Sequence, residues 1–411
     1  MSAEHSIPVA TLNADRARAA PSDGQRAALA DALRRLEAWG RERGWTGSDP
    51  YDGLNATRLA GPLKRSALGR RVLTQLVKRS PHDLRRLLGI GAGRSAAALA
   101  QVASSYALGA VPGEEGRSRL AESLRDLLAL RCAGFDEPCW GYHFDVQTRV
   151  FLYPSTSPNT IATVFAGMAL IDAYEATGET QLLELATETG EFFLRHVPQT
   201  RDGDGGFFGY LVGDRTPIHN ANALVCALLA RLVNHTGRTD MRTAAETGLR
   251  WTCANQRPDG AWPYGERPHL QWVDNFHTGY VLDALMYSAD GGVDLDGGVA
   301  LERGLAYYRR ALFLEDGTPK YTPSSIYPID AQCVAQAIHT MALAGMGEPA
   351  YGAFAWSVFD FARRHMQRGD GSYLFQRRRL WKNGASHIRW MAAPMLQALA
   401  RLQHSERGVG A

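Results

Sequence analysis

The segment Trp272-Val-Asp-Asn-Phe-His277 places an acid, an amide, two aromatic rings and an imidazole within six residues. Asp274 and His277 are three apart, so on a helix they share one face. A carboxylate there orients the imidazole and raises its basicity, which makes a proton-transfer unit. Asp330, ahead of a long apolar stretch, and Asp145, in the aromatic segment Trp140-Gly-Tyr-His-Phe-Asp145, supply further carboxylates. His219, and with it His387, supply further imidazoles. The expected catalytic set is therefore Asp274, Asp330, His277, His219 and Asp145. Chemistry at a sugar carbon needs such a set: two acid/base groups flanking the reacting centre, with ring faces and amides to hold hydroxyls. Asn159, Asn220, Asn222 and Gln332 suit hydroxyl recognition, and Tyr142, Trp262, Trp272, Tyr327 and Trp390 suit stacking. Arg149 and Arg389 offer bidentate pairing to a carboxylate or phosphate, beside His387. Each assignment has a plainer rival. Asn and Asp at helix starts cap free N–H groups, and an isolated histidine often serves a structural network.

These residues sit where helices begin. Apolar periodicity predicts helices over 24–43, 95–109, 116–131, 160–176, 181–196, 219–235, 240–255, 274–289, 297–313, 328–344, 350–367 and 386–403. Twelve helices make six hairpins. Every second one, such as 160–176, 219–234 and 327–345, is rich in small and apolar residues, whereas 182–195 and 242–255 carry charged stripes. A helix apolar all round is buried and a striped one faces water, so the alternation predicts an inner and an outer ring. Asn159, Asn220, Asn275, Asp330 and His387 recur at steps of 61, 55, 55 and 57 residues, the mark of an internal repeat. We therefore expect an all-α fold, more than half helical, with no sheet beyond a hairpin. These polar residues should meet at one end of the ring.

The pattern resembles the (α/α)6 toroids of six helical hairpins. Gln256-Arg-Pro-Asp-Gly-Ala-Trp262 and Gln367-Arg-Gly-Asp-Gly-Ser-Tyr373 are similar to the Q-x-x-D-G-x-W repeat of terpenoid-cyclase and prenyltransferase toroids, and Arg201–Phe207 is a looser copy. In these segments Asp-Gly makes the tight turn and the aromatic packs it onto the ring. Trp140–Arg149, Ser157–Thr160, His219–Asn222, Asp274–His277 and Tyr51–Asn55 resemble a family of bacterial toroid proteins associated with polysaccharide biosynthesis. That resemblance implies pathway context more than a reaction.

The chain has 411 residues, 45% hydrophobic and 21% charged, with a formal net charge of +3, too small to imply a nucleic-acid partner. The five cysteines are odd in number and none forms a C-x-x-C pair, as in a reducing compartment. No basic-then-apolar leader opens the sequence and no run of about 18 uncharged apolar residues interrupts it, so we expect a cytoplasmic protein. Residues 1–22 read as a disordered tail and 23–411 as one toroid. Within it, 63–88 is a basic amphipathic stretch with a single acid, Asp83. A solvated helix face is the ordinary explanation of such a run, and peripheral contact with an anionic membrane is the sharper one.

Rival chemistries lack their residues. No D-x-D-D or D-D-x-x-D segment is present, and Asp330, Cys333 and His387 fall short of a zinc shell, so we expect no metal and no cofactor. The expected function is a carbohydrate-active enzyme of hydrolase, lyase or epimerase type, acting on a glycan or glycan precursor in polysaccharide biosynthesis. A prenyl or terpenoid toroid enzyme and a non-catalytic glycan-binding scaffold remain the alternatives.

Overall fold

The computed structural model describes residues 20–80, 82–148, 152–155, 157–295 and 298–408. Most of the expected disordered tail, residues 1–19, and the candidate Arg149 lie outside the described residues. The chain is 59% helical. Helix α1 (Asp23–Glu42) opens on a capping box, with Ser22 Oγ accepting from the Gln25 N–H and Gln25 Oε1 accepting from the Ser22 N–H. Three short helices follow, α2 (Gly61–Lys64), α3 (Ala67–Arg79) and α4 (Arg85–Leu88). The ring helices are α5 (Ala96–Ala107), α6 (Gly113–Leu128), α7 (Thr160–Thr177), α8 (Thr180–His196), α9 (His219–Thr236), α10 (Thr239–Ala254), α11 (Asn275–Asp290), α12 (Val299–Ala311), α13 (Ala331–Gly345), α14 (Pro349–His365) and α15 (Ala393–Gly408).

The odd-numbered helices from α5 to α15 pack in sequence, each on the next, and α15 closes on α5. They are the small-residue helices of the sequence pattern. Nearly all of α9 and α13 is buried, including Asn222, Arg231, Gln332 and Gln336. The even-numbered helices lie outside them, α6 on α5 through to α14 on α13. The outer partner of α15 is α1, so the sixth hairpin joins the first helix of the chain to the last. A 55–61-residue period cannot reveal this pairing, because it depends on the ring closing.

Two inner-to-outer turns repeat their chemistry. Thr177-Gly-Glu-Thr180 and Thr236-Gly-Arg-Thr239 each place glycine in the left-handed region, Gly178 at φ 76° and Gly237 at φ 68°. There a side chain would be strained, and the helix ends without penalty. Glycine also sets the spacing inside the ring. A Cβ on Gly279 of α11 would come within 2.5 Å of Gln336 Cγ on α13, so the two inner helices touch closely there.

The basic stretch 63–88 holds three helices, α2, α3 and α4. Ser66 caps α3, its Oγ accepting from the Gly69 N–H, and Gly89 at φ 66° ends α4. Together with residues 46–60 these helices form a cap with its own small core of Leu54, Leu73, Val77, Leu88 and Ile90. One expectation needs correction, and it concerns sheet. Ile329–Asp330 and Lys382–Asn383 both pair with Gln376–Arg377, giving three strands where a hairpin was expected. The third strand ties the loop before α15 to the start of α13.

Candidate functional site

Helix α11 begins at Asp274. Its Oδ1 accepts from the His277 N–H at 3.0 Å, the capping bond that the sequence pattern allowed. The other oxygen does more. Oδ2 lies 2.7 Å from His277 Nδ1 and accepts from Trp272 Nε1 at 3.1 Å. One carboxylate thus caps the start of the helix and fixes an imidazole. With the proton on Nδ1, Nε2 becomes the basic atom of the ring. The Asp274 side chain is 4% exposed and the His277 side chain 22%. The acid is sealed and the imidazole is not.

A run of rings leads away from this pair. Trp272 stacks on Tyr264 at 4.5 Å, and Tyr264 lies 4.6 Å from His277. Phe276 touches His277 at 4.0 Å and Trp390 at 5.5 Å, and Trp390 meets Tyr51 edge-on at 5.3 Å. Lys78 of α3 ends the run. Its Nζ lies over the Tyr51 ring at 4.1 Å and the Trp390 ring at 5.2 Å. This aromatic wall joins the start of α11 to the start of α13, because Trp390 Nε1 donates to Asp330 Oδ1 at 2.9 Å.

Asp330 is held differently. The Gln332 N–H and Trp390 Nε1 donate to Oδ1, and Gln376 Nε2 donates to Oδ2 at 2.6 Å. Burial pushes its carboxyl above the usual range, against the pull of Gln376 and the nearby Lys78. Gln332, the second residue of α13, donates to the Tyr280 hydroxyl at 2.8 Å. Cys333 packs with Phe276, Phe375 and Trp390, and burial raises its thiol well above the ordinary value. Among the described residues no cluster of three His, Cys, Asp or Glu could hold a metal ion.

His219 opens α9. Its Nε2 lies 2.6 Å from Glu266 Oε1, and its ring stacks on Trp251 at 4.5 Å. Burial pushes the imidazole down, outweighing Glu266, while the bond from His219 holds the Glu266 carboxyl below its usual range. His387 stands before the last inner helix with Nδ1 3.0 Å from Ser48 Oγ. Burial, helped by the positive charge of Arg85, pushes it down to about 3. Arg389 follows, and its anion is the protein's own. Nε and Nη2 reach the two oxygens of Asp49 at 2.6 and 2.8 Å, and the guanidinium lies 4.6 Å from the Tyr142 ring. Burial works to raise the Asp49 carboxyl, but Arg389 outweighs it and holds it below the usual range. Arg389 therefore locks the cap to the ring instead of meeting a ligand.

The six polar residues at the inner-helix starts do stand at one end. Asn159, Asp274 and Asp330 are N-caps, His219 and Asn220 open α9, and His387 precedes the π-helical turn 388–392 that leads into α15. Asn159 is a buried cap whose Oδ1 accepts from the Ala162 N–H, and Asn220 is buried beside His219. The structure does not bring every candidate to the wall. Asp145 is exposed, and its Oδ1 accepts from the Ser155 N–H across the hairpin before α7. Asn222 is fully buried between α9 and α10, donating to the Gly248 carbonyl and accepting from the Phe208 N–H. Trp262 packs the Asp259-Gly260 turn, donating to the Thr252 carbonyl. Tyr327 is exposed on the loop leading to Asp330. Beside Phe276 and Tyr51 of the quoted segments, residues not singled out by the sequence complete the site: Tyr264, Glu266, Tyr280 and Gln376 from the ring, and Asp49 and Lys78 from the cap. Lys78 was visible only as one charge in a basic run.

Below the wall, Tyr280 also lines an interior cavity of about 50 Å³ reached by all six inner helices. Its polar lining includes Asp172, Arg231, Asp283, Gln336 and His339.

No family model and no curated relative matches the sequence. Solved structures do match. The chain has the fold of the (α/α)6 toroids. Cellobiose 2-epimerase from Bacillus thermoamylovorans is similar at 12% identity and a TM-score of 0.59, over 76% of this chain and 88% of its own. A GH76 α-mannanase from Bacteroides thetaiotaomicron is similar at 14% identity and a TM-score of 0.60, over 77% and 88%. A variant of unsaturated glucuronyl hydrolase from Streptococcus agalactiae is similar at 12% identity and a TM-score of 0.56, over 92% and 90%. At these identities the likeness is one of architecture.

Proposed function

We propose that this toroid is a carbohydrate-active enzyme of epimerase or lyase type. His277 removes a proton from a sugar carbon beside a carbonyl or carboxylate group, and Asp274 orients it; in epimerisation a proton then returns to the opposite face of that carbon, and in elimination the oxygen on the neighbouring carbon leaves with a proton as the double bond forms. The observation that carries this reading is the 2.7 Å Asp274–His277 pair with its imidazole still open to solvent against an aromatic wall. Hydrolysis by two carboxylates is less well supported, since Asp274 is committed to His277 and Asp330 to three donors. The rings of Trp272, Tyr264 and Tyr51 suit sugar faces, and Lys78 suits a negatively charged substrate. Similar toroids named as an epimerase, a mannanase and a glucuronyl hydrolase lend the reading its substrate class. We further propose a cytoplasmic protein that acts on a glycan precursor in polysaccharide biosynthesis. The polar mouth argues against a hydrocarbon substrate of the prenyl type.

The test is solvent exchange. Reducing disaccharides and uronic-acid oligosaccharides are incubated with the protein in D2O and followed by proton NMR. The expected result is loss of one carbon-bound proton signal, abolished in His277→Gln. Release of new reducing ends with every carbon-bound proton retained and no vinyl proton formed would replace this reading with a hydrolase. Thermal stabilisation by a saccharide with no exchange and no cleavage would replace it with a binding protein.

A further inference from the structure

The cap has two faces, and only one is explained by the site. The inner face of α3 (Leu73, Thr74, Val77 and Lys78) packs on the cap core and reaches the aromatic wall. The outer face carries Leu68, Val72 and Leu76, exposed by 70%, 48% and 50%. Four-residue spacing puts these three in one stripe along the helix. Leu59 and Leu87, exposed by 77% and 61%, lie on segments joined where the Thr57 and Arg58 N–H groups both donate to the Leu88 carbonyl. A solvated helix face would not present such a stripe.

The loop Gln376–Asn383 extends the patch. Its strands fold back at Arg379-Leu380, where Leu380 is 91% exposed between the exposed Arg379 and Lys382. Arg378 stacks 5.0 Å from the Trp381 ring and feels the charge of Arg79 at the end of α3. Gln376 at the base of the hairpin bonds Asp330, whose partner Trp390 lies under Lys78 of α3, so the hairpin and the helix are neighbours. Exposed Arg65, Arg71 and Arg79 flank the leucines of α3, and Asp83 is the one acid between residues 57 and 88.

We propose that this face docks on an anionic lipid bilayer, with the α3 stripe and the Leu380 tip entering the headgroup region and the arginines pairing with lipid phosphates. Charge complementarity selects this occupant. One lipid surface supplies both an apolar layer and a dense sheet of negative charge, and the patch needs both at once. Trp381 at the edge fits the same boundary. A protein partner would have to offer an acidic apolar groove spanning a helix and a separate hairpin. Docked this way, the cap lies between the bilayer and the mouth that holds His277. Where the proton-transfer reading holds, the saccharide it takes is then one carried at the membrane on a lipid.

Flotation of the full chain with vesicles tests docking without any turnover assay. Vesicles of phosphatidylcholine alone are compared with vesicles containing about a third phosphatidylglycerol. The expected result is binding to the anionic vesicles, weakened at least tenfold by 0.5 M NaCl, as screening of such pairs requires. The triple variant Leu68→Ser, Leu76→Ser, Leu380→Ser and the charge variant Arg71→Gln, Arg79→Gln, Lys382→Gln should each lose at least tenfold in partitioning while keeping the wild-type melting temperature. Equal binding to neutral and anionic vesicles, no binding to either, or variants that partition like wild type would overturn the proposal. So would a doubled mass in light scattering that the leucine variant returns to monomer, since the face would then pair with a second copy. Failure here leaves the D2O experiment untouched, and failure there leaves the vesicle result standing.

Discussion

Helix α11 carries two aspartate–histidine pairs, one at its start in the mouth of the ring and one midway along it at the interior cavity, the two ends of the ring's channel. Asp274 holds His277 at 2.7 Å at its start, and Asp283, nine residues on, holds His339 of α13 at 2.9 Å. In both, the carboxylate Oδ2 accepts from Nδ1. Their surroundings differ. The first lies where inner helices begin, among the rings of Tyr264, Trp272, Phe276 and Trp390, and its imidazole is partly open. The second lies about 13 Å further along the axis at 1.5 Å per residue. It lines the interior cavity with Gln336, which also donates to Asp283 Oδ2 at 2.6 Å. The ends also differ in field. Helix N-termini favour anions and C-termini favour cations, and toward the C-terminal ends stand Arg231, paired with Asp172 and Glu175, and Arg401, bonded to Tyr287. One dyad therefore sits where an anionic sugar would be welcome, and its twin sits in a self-neutralising network. The pair makes a base only where loops leave room for a substrate.

Turnover gives the largest expected separation. His277→Gln should lower the exchange rate on the true saccharide by a factor of about 100 or more, as for loss of a general base. His339→Gln should leave it within about threefold. Equal losses in both variants would mean that the channel works as one unit and that the division into two ends is wrong.

Much of the division was readable in the sequence, and what was not has a common cause. Asp274 and His277 could be paired from spacing alone because helix geometry fixes residues three apart. The inner and outer rings followed from the alternation of small and charged helices. Asp283–His339 could not be found this way, since the partners are 56 residues apart on different helices. Arg389 was read as an anion site for a ligand, and the anion proved to be Asp49, 340 residues earlier. Ring closure brings those two together, and no local pattern encodes it. Asp145 misled for the opposite reason. Its aromatic segment is real, but the side chain points along a hairpin and ties down Ser155.

Stability should separate the same dyads in the reverse order. Asp283→Asn leaves His339 and Gln336 competing for an amide inside the channel, and it should cost about 1–3 kcal/mol, the range for disturbing a buried charged hydrogen bond. Asp274→Asn should cost less, roughly 0.5 kcal/mol, because asparagine caps a helix about as well as aspartate. Urea denaturation followed by circular dichroism measures both. A larger loss for Asp274→Asn would show that the mouth pair is a structural strut, and the case for His277 as the base would weaken with it.

The smallest effect concerns acid, and it belongs to the mouth. Unfolded, the His387 imidazole takes a proton near the ordinary value of about 6.5. Folded, burial and then the charge of Arg85 hold it down to about 3. Between those values the unfolded chain binds more protons than the folded one. The stability contributed by a neutral His387 is therefore complete above about pH 6.5 and declines as the pH falls toward 3. His219, also pushed down by burial, acts in the same direction, whereas Asp330, pushed up by burial, acts in the opposite one. Asp49 enters only lower, since its depressed carboxyl keeps its charge below the ordinary carboxylate value. A single melt against pH would mix these groups, so the useful quantity is the difference between two proteins. His387→Gln should be less stable than wild type at pH 7.5, because it disturbs the bond to Ser48, yet lose less further stability between pH 7.5 and 4.5. His339→Gln, at the other end, should track the wild-type slope. Parallel slopes for wild type and His387→Gln would mean that the imidazole takes up its proton without leaving the fold, and the mouth would then be as tolerant of charge as the far end of the channel.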